Sequence, residues 1–480
     1  MTICLQTAWG QVSVPQLPSD KGPVSSEDYT VTVRPLRGGE WQQVPVLRCD
    51  VNTRRVQRAA YAEFDMGEPV VVRVTSCQQR AAGAAAVTSD VRIRPTSRGL
   101  VPAVIDDKTI ELTLQRPEYL SIEFQGDRHH NLHLFANAMH QAPAIPQDER
   151  VINWEGQFSQ DVFVRDARFI YFGPGVHRPK DLPGEEIKIP SNCTVYLAPG
   201  AVVKARLIVD HAENVRIVGR GIVDHPLRGV EITYSKHVVV DGLTFLNPAH
   251  YTIYGGQSSD ITVRNIKSFS ARSWSDGIDL MCCSDVLVEN CFLRTSDDCI
   301  ALYNHRWWYW GGSSNIEVRH CVFWPDVAHS VNIGTHGDDR NPEGETLSGV
   351  RIHDCDVLYG DDESLLAVNC GDRNHISNVS FEDIRVEGAV RGALFDLRVL
   401  YSEKYNRAPG CCIDNVTFSR ITVDEPSVAV LSPGRLLHYD ASHGVSNVRF
   451  HDIRLGNRPF DRERDMTEVS PEVRAAPPLP

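Results

Sequence analysis

Two short segments carry residues that could do chemistry together: Trp274-Ser275-Asp276-Gly277-Ile278-Asp279-Leu280 and Thr295-Ser296-Asp297-Asp298-Cys299-Ile300-Ala301-Leu302. Asp276 and Asp297 stand 21 residues apart. If one turn of the chain has that length, Asp276, Asp297 and Asp298 converge on one face. Crowded carboxylates raise the pKa of at least one member, which then holds its proton while another stays ionised. A proton donor beside a proton acceptor is what hydrolysis of a glycosidic bond needs. One acid protonates the leaving oxygen, and a carboxylate activates water on the far face. Either motif alone reads as turn residues, because Asp-Gly and Asp-Asp favour turns. The pair at one spacing argues for a site. Asp279, in the strand start after Gly277, reads as structural.

The elements that must position these residues are legible as a repeat. From about residue 190 a small polar residue is followed by Asx or a similar residue, then by an alternating apolar strand. Glu213-Asn214-Val215-Arg216-Ile217 is followed by segments starting at Lys236, Ser259, Ser284, Ser314, Ser348, Ser377, Asp414 and Ser446. The starts are separated by 23, 23, 25, 30, 34, 29, 37 and 32 residues. One strand signature per period, without helical periodicity, marks a parallel β-solenoid whose coils share one core. A β-propeller needs a longer period, near 40–45 residues, with four strands per blade.

The first 140 or so residues differ. Tyr29–Pro35, Val70–Thr75, Val91–Pro95, Thr109–Leu114 and Leu120–Phe124 are short strands, most with period-two alternation, the pattern of an antiparallel β-sandwich. The expected fold is therefore all-β: an N-terminal antiparallel β-sandwich over residues 1–145, a junction and cap over 146–190, a right-handed parallel β-helix over 191–460, and a loosely ordered tail over 461–480.

Bulk properties narrow the partners. The net charge of −13 argues against nucleic acid, whose binding needs a basic face. No stretch approaches the roughly 20 apolar residues of a membrane span. Thirteen cysteines are spread along the chain. Cys291, Cys299, Cys321 and Cys355 lie in apolar runs and read as buried and reduced, with no zinc-type spacing. Neither a metal nor another cofactor is expected. The N-terminus lacks a basic and long apolar leader, and with the cysteines this gives an expectation of a cytoplasmic protein. Secretion after removal of a leader is the alternative.

After the aspartate pair comes Tyr303-Asn304-His305-Arg306-Trp307-Trp308-Tyr309-Trp310. Aromatic faces pack on sugar rings, and Asn, His and Arg bond hydroxyls. Tyr303, Asn304, His305, Arg306, Trp307, Trp308 and Trp310 are therefore candidate sugar contacts, with His336 on the next loop near Asp338 and Asp339. Such a loop could also close one end of a cleft.

Asp-Gly-Ile-Asp followed one coil later by Asp-Asp-Cys-Ile-Ala resembles the polygalacturonase family, glycoside hydrolase family 28. Ala328-His329-Ser330-Val331-Asn332-Ile333-Gly334 is similar to that family's His-containing element. The resemblance implies an inverting hydrolase with Asp297 as general acid. Asp276 and Asp298 would hold the water, and His329 would tune the acid or touch substrate. The family's Arg-Ile-Lys element, which binds a uronate carboxylate, falls on Glu363-Ser364-Leu365-Leu366-Ala367-Val368-Asn369-Cys370. This stretch has no basic residue, and Asp361, Asp362 and Glu363 add negative charge. A sandwich leading into the helix, with junction segments Gln125–Asn137 and Tyr171–His177, is similar to the dextranase and isopullulanase family, glycoside hydrolase family 49. That resemblance implies a neutral, α-linked glucan or oligosaccharide substrate. The alternatives are a uronate hydrolase, a β-helix lyase or epimerase, and a non-catalytic glycan-binding β-helix.

Overall fold

The computed structural model describes residues 12–18, 22–78, 86–147, 151–154, 166–179, 185–361 and 363–469. Asp362, the first eleven residues and residues 470–480 therefore lie outside the described part.

The repeat seen in the sequence is the coil of a parallel β-helix. The strands Glu213–Gly219, Lys236–Asp241, Ser259–Arg264, Ser284–Glu289, Ser313–Arg319, Thr346–His353, His375–Glu382, Cys412–Val423 and Gly444–Leu455 pair in parallel, each with the next. Their signature residues are in register, from Glu213 opposite Lys236 to Asp414 opposite Ser446. The second residue of each signature explains why the pattern is visible. Asn214, His237, Asp260, Asp285, Asn315, Asn378, Asn415 and Asn447 all have positive φ, between 52° and 58°. Asn and Asp tolerate this left-handed conformation best among side-chain-bearing residues, and in the two signatures without them it is taken by His237 and, at 72°, by Gly349. Each such residue turns the chain into the strand, and its apolar successors fill a single continuous core that includes Cys291, Cys321 and Cys355.

A second set of strands forms an 11-stranded parallel sheet, from Glu186–Lys188 through Ile278–Met281, Ile300–Tyr303, Val331–Gly334, Leu366–Cys370 and Phe395–Val399 to Met466–Val469. Alternate residues point inwards, as period two requires. Ile278, Ile300, Val331 and Leu366 belong to the core. Asp279, Ala301, Asn332, Ala367 and Asp396 form a row on the outer face.

The stack is longer than the repeat alone indicates. Parallel pairing already links Val151–Trp154 with Phe169–Phe172, and Met466–Val469 adds the last strand beside Gly434–Leu437. Both segments lack the Asx signature, so sequence placed them in a junction and a tail. Among the described residues no helix is long and apolar enough to cross a membrane.

The N-terminal part forms two sheets, one of six strands and one of five. Their pairings are antiparallel with one exception: Leu132–Ala138 lies parallel to Gln57–Met66. These two strands face the helix. Tyr61, Tyr119 and Phe135 pack with Phe269, Phe292 and Trp324 on a helix sheet other than the one carrying the aspartates. Buried ions join the two parts. Arg294 donates to Asn131 Oδ1 at 3.0 Å and to the Arg128 carbonyl at 2.9 Å, and Arg94 pairs with Glu123 at 2.9 Å and Glu387 at 3.2 Å.

Candidate active site

The turns that enter the outer-face sheet carry the aspartates, and serine hydroxyls fix them. Ser275 Oγ donates to the carbonyls of Pro248 and His250 at 2.9 and 2.7 Å. Ser270 Oγ donates to the Ser275 carbonyl at 3.0 Å and accepts from the Ser296 N–H at 2.9 Å. Two consecutive turns are thereby locked together next to Asp276 and Asp297.

The register refines the sequence reading. Ile278 pairs with Ile300, and the Gly277 N–H donates to the Asp298 carbonyl at 2.8 Å. Asp276 therefore stacks on Asp298, not on Asp297 as a 21-residue coil implies. The next coil continues the ladder with His329, since the Cys299 N–H donates to the His329 carbonyl at 2.9 Å. Asp297 lies one residue outside this ladder and is the more accessible of the pair.

Neighbouring carboxyls acquire different chemistry. Asp298 is buried, which would raise its pKa, but the charge of His329 and hydrogen bonds outweigh burial and hold it below the usual carboxylate range. Its Oδ1 accepts from the His329 backbone N–H at 2.9 Å and from Nδ1 at 2.7 Å, and its Oδ2 accepts from Asn332 Nδ2 at 2.9 Å. Asp297 accepts only the Asp298 backbone N–H, at 3.1 Å, among the described residues. Burial, and then the charge of Asp298, push it up to about 7. The arrangement sets a proton donor beside an ionised carboxylate at neutral pH.

Asp279, which the sequence presents as structural, lies in the same cluster. It has no exposed surface, and its charge reaches Asp276. Burial raises the pKa of both; the charge of Asp279 raises Asp276 further, whereas the charge of Arg306 opposes burial at Asp279. Arg306 Nη1 lies 3.8 Å from Asp279 Oδ2 and supplies the compensating charge. The cluster thus has four carboxyls, not three.

The aromatic loop distributes its residues unevenly. Trp308 and Trp310 are exposed, Trp307 and Arg306 are half-buried, and Tyr303 is buried against Arg306. Asn304 is a correction: it has no exposed surface, and its Nδ2 donates to Asn374 Oδ1 at 2.8 Å, so it supports the loop from inside and cannot meet a sugar. His305 is spent on the loop as well, its Nδ1 on the Tyr309 carbonyl and its ring stacked on Trp310 at 3.7 Å. His336 packs edge-on to Tyr303 at 5.0 Å, and burial followed by the charge of Arg306 takes it down to about 3. His329 Nε2 is buried and has no partner among the described residues.

Sequence reasoning passed over three further features. Asn369 Nδ2 donates to Asn332 Oδ1 at 3.2 Å, and Arg398 Nε donates to Asn369 Oδ1 at 3.1 Å, extending the Asp298 network over two more coils. Trp274, two residues before Asp276, is 68% exposed. Lys404 stands close enough to Asp297 to feel its charge. The last two sit in the named motif and in a later loop, but their convergence depends on coil length.

A parallel β-helix with converging aspartates on the outer face of one sheet is the arrangement of the pectinase-like clan of glycoside hydrolases. Within it, the chain belongs to the Glycosyl hydrolases family 28, whose model matches residues 207–458. A polygalacturonase of Chamaecyparis obtusa is 31% identical over 114 residues, 23% of this chain and 20% of the relative. A probable endopolygalacturonase D of Neosartorya fischeri is 22% identical over 223 residues, covering 45% and 42%. The chain thus spans less than half the length of these curated relatives. Among solved structures, Dex49A from Penicillium minioluteum superposes with a TM-score of 0.67 at 15% identity, over 94% of this chain and 92% of that one. That likeness is one of fold and includes the N-terminal sandwich.

Proposed function

We propose that the protein is an inverting glycoside hydrolase acting on a neutral, α-linked glucan or oligosaccharide. The observation that carries the chemistry is the division of labour between adjacent carboxyls. His329 and Asn332 keep Asp298 ionised, while Asp297, without such donors, is held protonated near neutrality. In the reaction the Asp297 proton passes to the glycosidic oxygen as its bond to the anomeric carbon breaks. A water oxygen bonds that carbon from the opposite face, and its proton passes to Asp298. Asp276, stacked on Asp298, orients the water.

The electrostatics of the floor support a neutral substrate. At the level where a uronate-binding relative carries its basic element, the outward positions are Ala367 and Asn369. Arg306 is committed to Asp279, and Arg398 to Asp396 at 3.0 Å and Asn369. A substrate carboxylate buried there would have to compete with Asp396 for Arg398 and Arg435, which pair with Asp396 at 3.0 and 2.6 Å.

A second reading, a uronate hydrolase, is favoured by Lys404, an exposed cation over the Tyr405 ring that feels the charge of Asp297, and by the polygalacturonase relatives. Reducing-sugar release from dextran, pullulan and polygalacturonate, with Asp297→Asn alongside, separates the two. Mutant-sensitive activity on a neutral glucan supports the first, and on polygalacturonate the second.

A further inference from the structure

We propose that the loop between Ile300–Tyr303 and Ser313–Arg319 walls off one end of the substrate groove, so that the enzyme attacks chain ends. This rests on the hydrolytic reading of the site. The groove is the outer face of the 11-stranded sheet, and the loop crosses it on the N-terminal side of the aspartates. At the exit edge of the strands, Tyr309 lies directly on Gly256, where a Cβ would come within 2.4 Å of its ring. At the entry edge, Trp307 stacks on Tyr251 at 5.7 Å and 16° and approaches His250 at 6.2 Å. Between these edges Arg306 reaches Asp279 in the strand itself.

The wall is anchored to the scaffold. Both ends of the loop are tied to one carboxylate, since Glu345 accepts from the N–H groups of His305 and Gly311 at 2.9 and 2.8 Å. The Trp310 N–H donates to Gln257 Oε1 at 3.0 Å, and the Tyr254 and Tyr309 hydroxyls are 3.4 Å apart. Arg228, three coils before the aspartate pair, lies 5.5 Å from the rings of both Tyr254 and Trp307. The outer face of three successive coils, at Glu231, Tyr254 and Asp279, is thus covered or buried. A sugar chain seated at Asp297 continues only over Asn332 and Ala367. A terminal residue meets the apolar wall, where Trp307 and exposed Trp274 offer ring faces.

Linear and cyclic oligosaccharides of one linkage differ only in having ends, and they test this directly. The wild-type protein is expected to cut the linear form to one short product from the first minutes and to leave the ring uncut. Trp307→Ala with Trp308→Ala, checked for folding by thermal melting, is expected to gain ring cleavage and a ladder of products. Tryptophan fluorescence of Asp297→Asn is expected to respond to linear but not cyclic sugar, whether or not turnover is seen. Equal cutting or equal binding of the ring by the unaltered loop would overturn the wall. Failure to cut either form while discriminating them in binding would instead overturn the hydrolytic reading and leave the wall standing.

Discussion

His329 directs both its Nδ1–H and its backbone N–H at a single carboxylate oxygen of Asp298, at 2.7 and 2.9 Å. An ionised carboxylate only accepts, so the ring carries a proton on Nδ1, and in the imidazolium the Nε2–H is left to donate to a substrate or water. The preceding carboxyl, that of Asp297, accepts a single backbone N–H, that of Asp298 at 3.1 Å, and keeps its proton up to about 7.

The pH profile follows from that contrast. The Asp297 acid works protonated, so activity is present below about 7 and falls as pH rises through that value. The Asp298 base works ionised, and its pKa lies below the carboxylate range, so the acid limb lies lower still. His329→Gln removes the cation and one donor, so Asp298 titrates higher. The acid limb of kcat/KM is expected to move up by about one pH unit, corresponding to about 1.4 kcal/mol, while the alkaline limb stays nearer its place. An unshifted acid limb would detach His329 from Asp298.

Asp297→Asn keeps the size of the side chain and removes the transferable proton. Turnover is expected to fall by about 10²–10⁴-fold, the span of general acid–base catalysis, with the melting temperature little changed. Undiminished turnover would mean that another group donates the proton.

Coupling between the sandwich and the helix rests on a buried cation. Arg294 has no exposed surface, and it faces Asn131, His133 and the Arg128 carbonyl with Asp326 3.9 Å away. Arg294→Met leaves Asp326 and several acceptors uncompensated, at a cost of about 3–5 kcal/mol. Urea unfolding monitored by fluorescence measures it. A change below about 1 kcal/mol would show that the interface tolerates the loss.

The same physics decides what the sequence reveals. The coil was legible because its turn residue needs a left-handed backbone, which selects Asx and leaves a mark such as Asn214 or Asn315 at each period. The strands at Val151–Trp154 and Met466–Val469 lack that mark and were read as junction and tail. Asp276, Asp297 and Asp298 were legible as a cluster, but their stacking was not. Register is fixed by pairing such as Ile278 with Ile300, and a one-residue difference exchanges Asp297 for Asp298 as the partner of Asp276. Asp279 looked structural because an isolated Asp after Gly usually is. Its cation, Arg306, comes from a loop whose direction of folding no local pattern encodes. Arg398 and Asn369 join the site only through coil stacking, far from the motif in sequence.

The most direct test of the central account is the anomeric configuration of the first product, followed by proton NMR at early conversion of an α-linked glucan. Inversion through Asp297 and an Asp298-activated water predicts that the β-anomer appears first and then mutarotates. The α-anomer appearing first would indicate a retained configuration and a covalent intermediate, and would contradict the roles given to both aspartates.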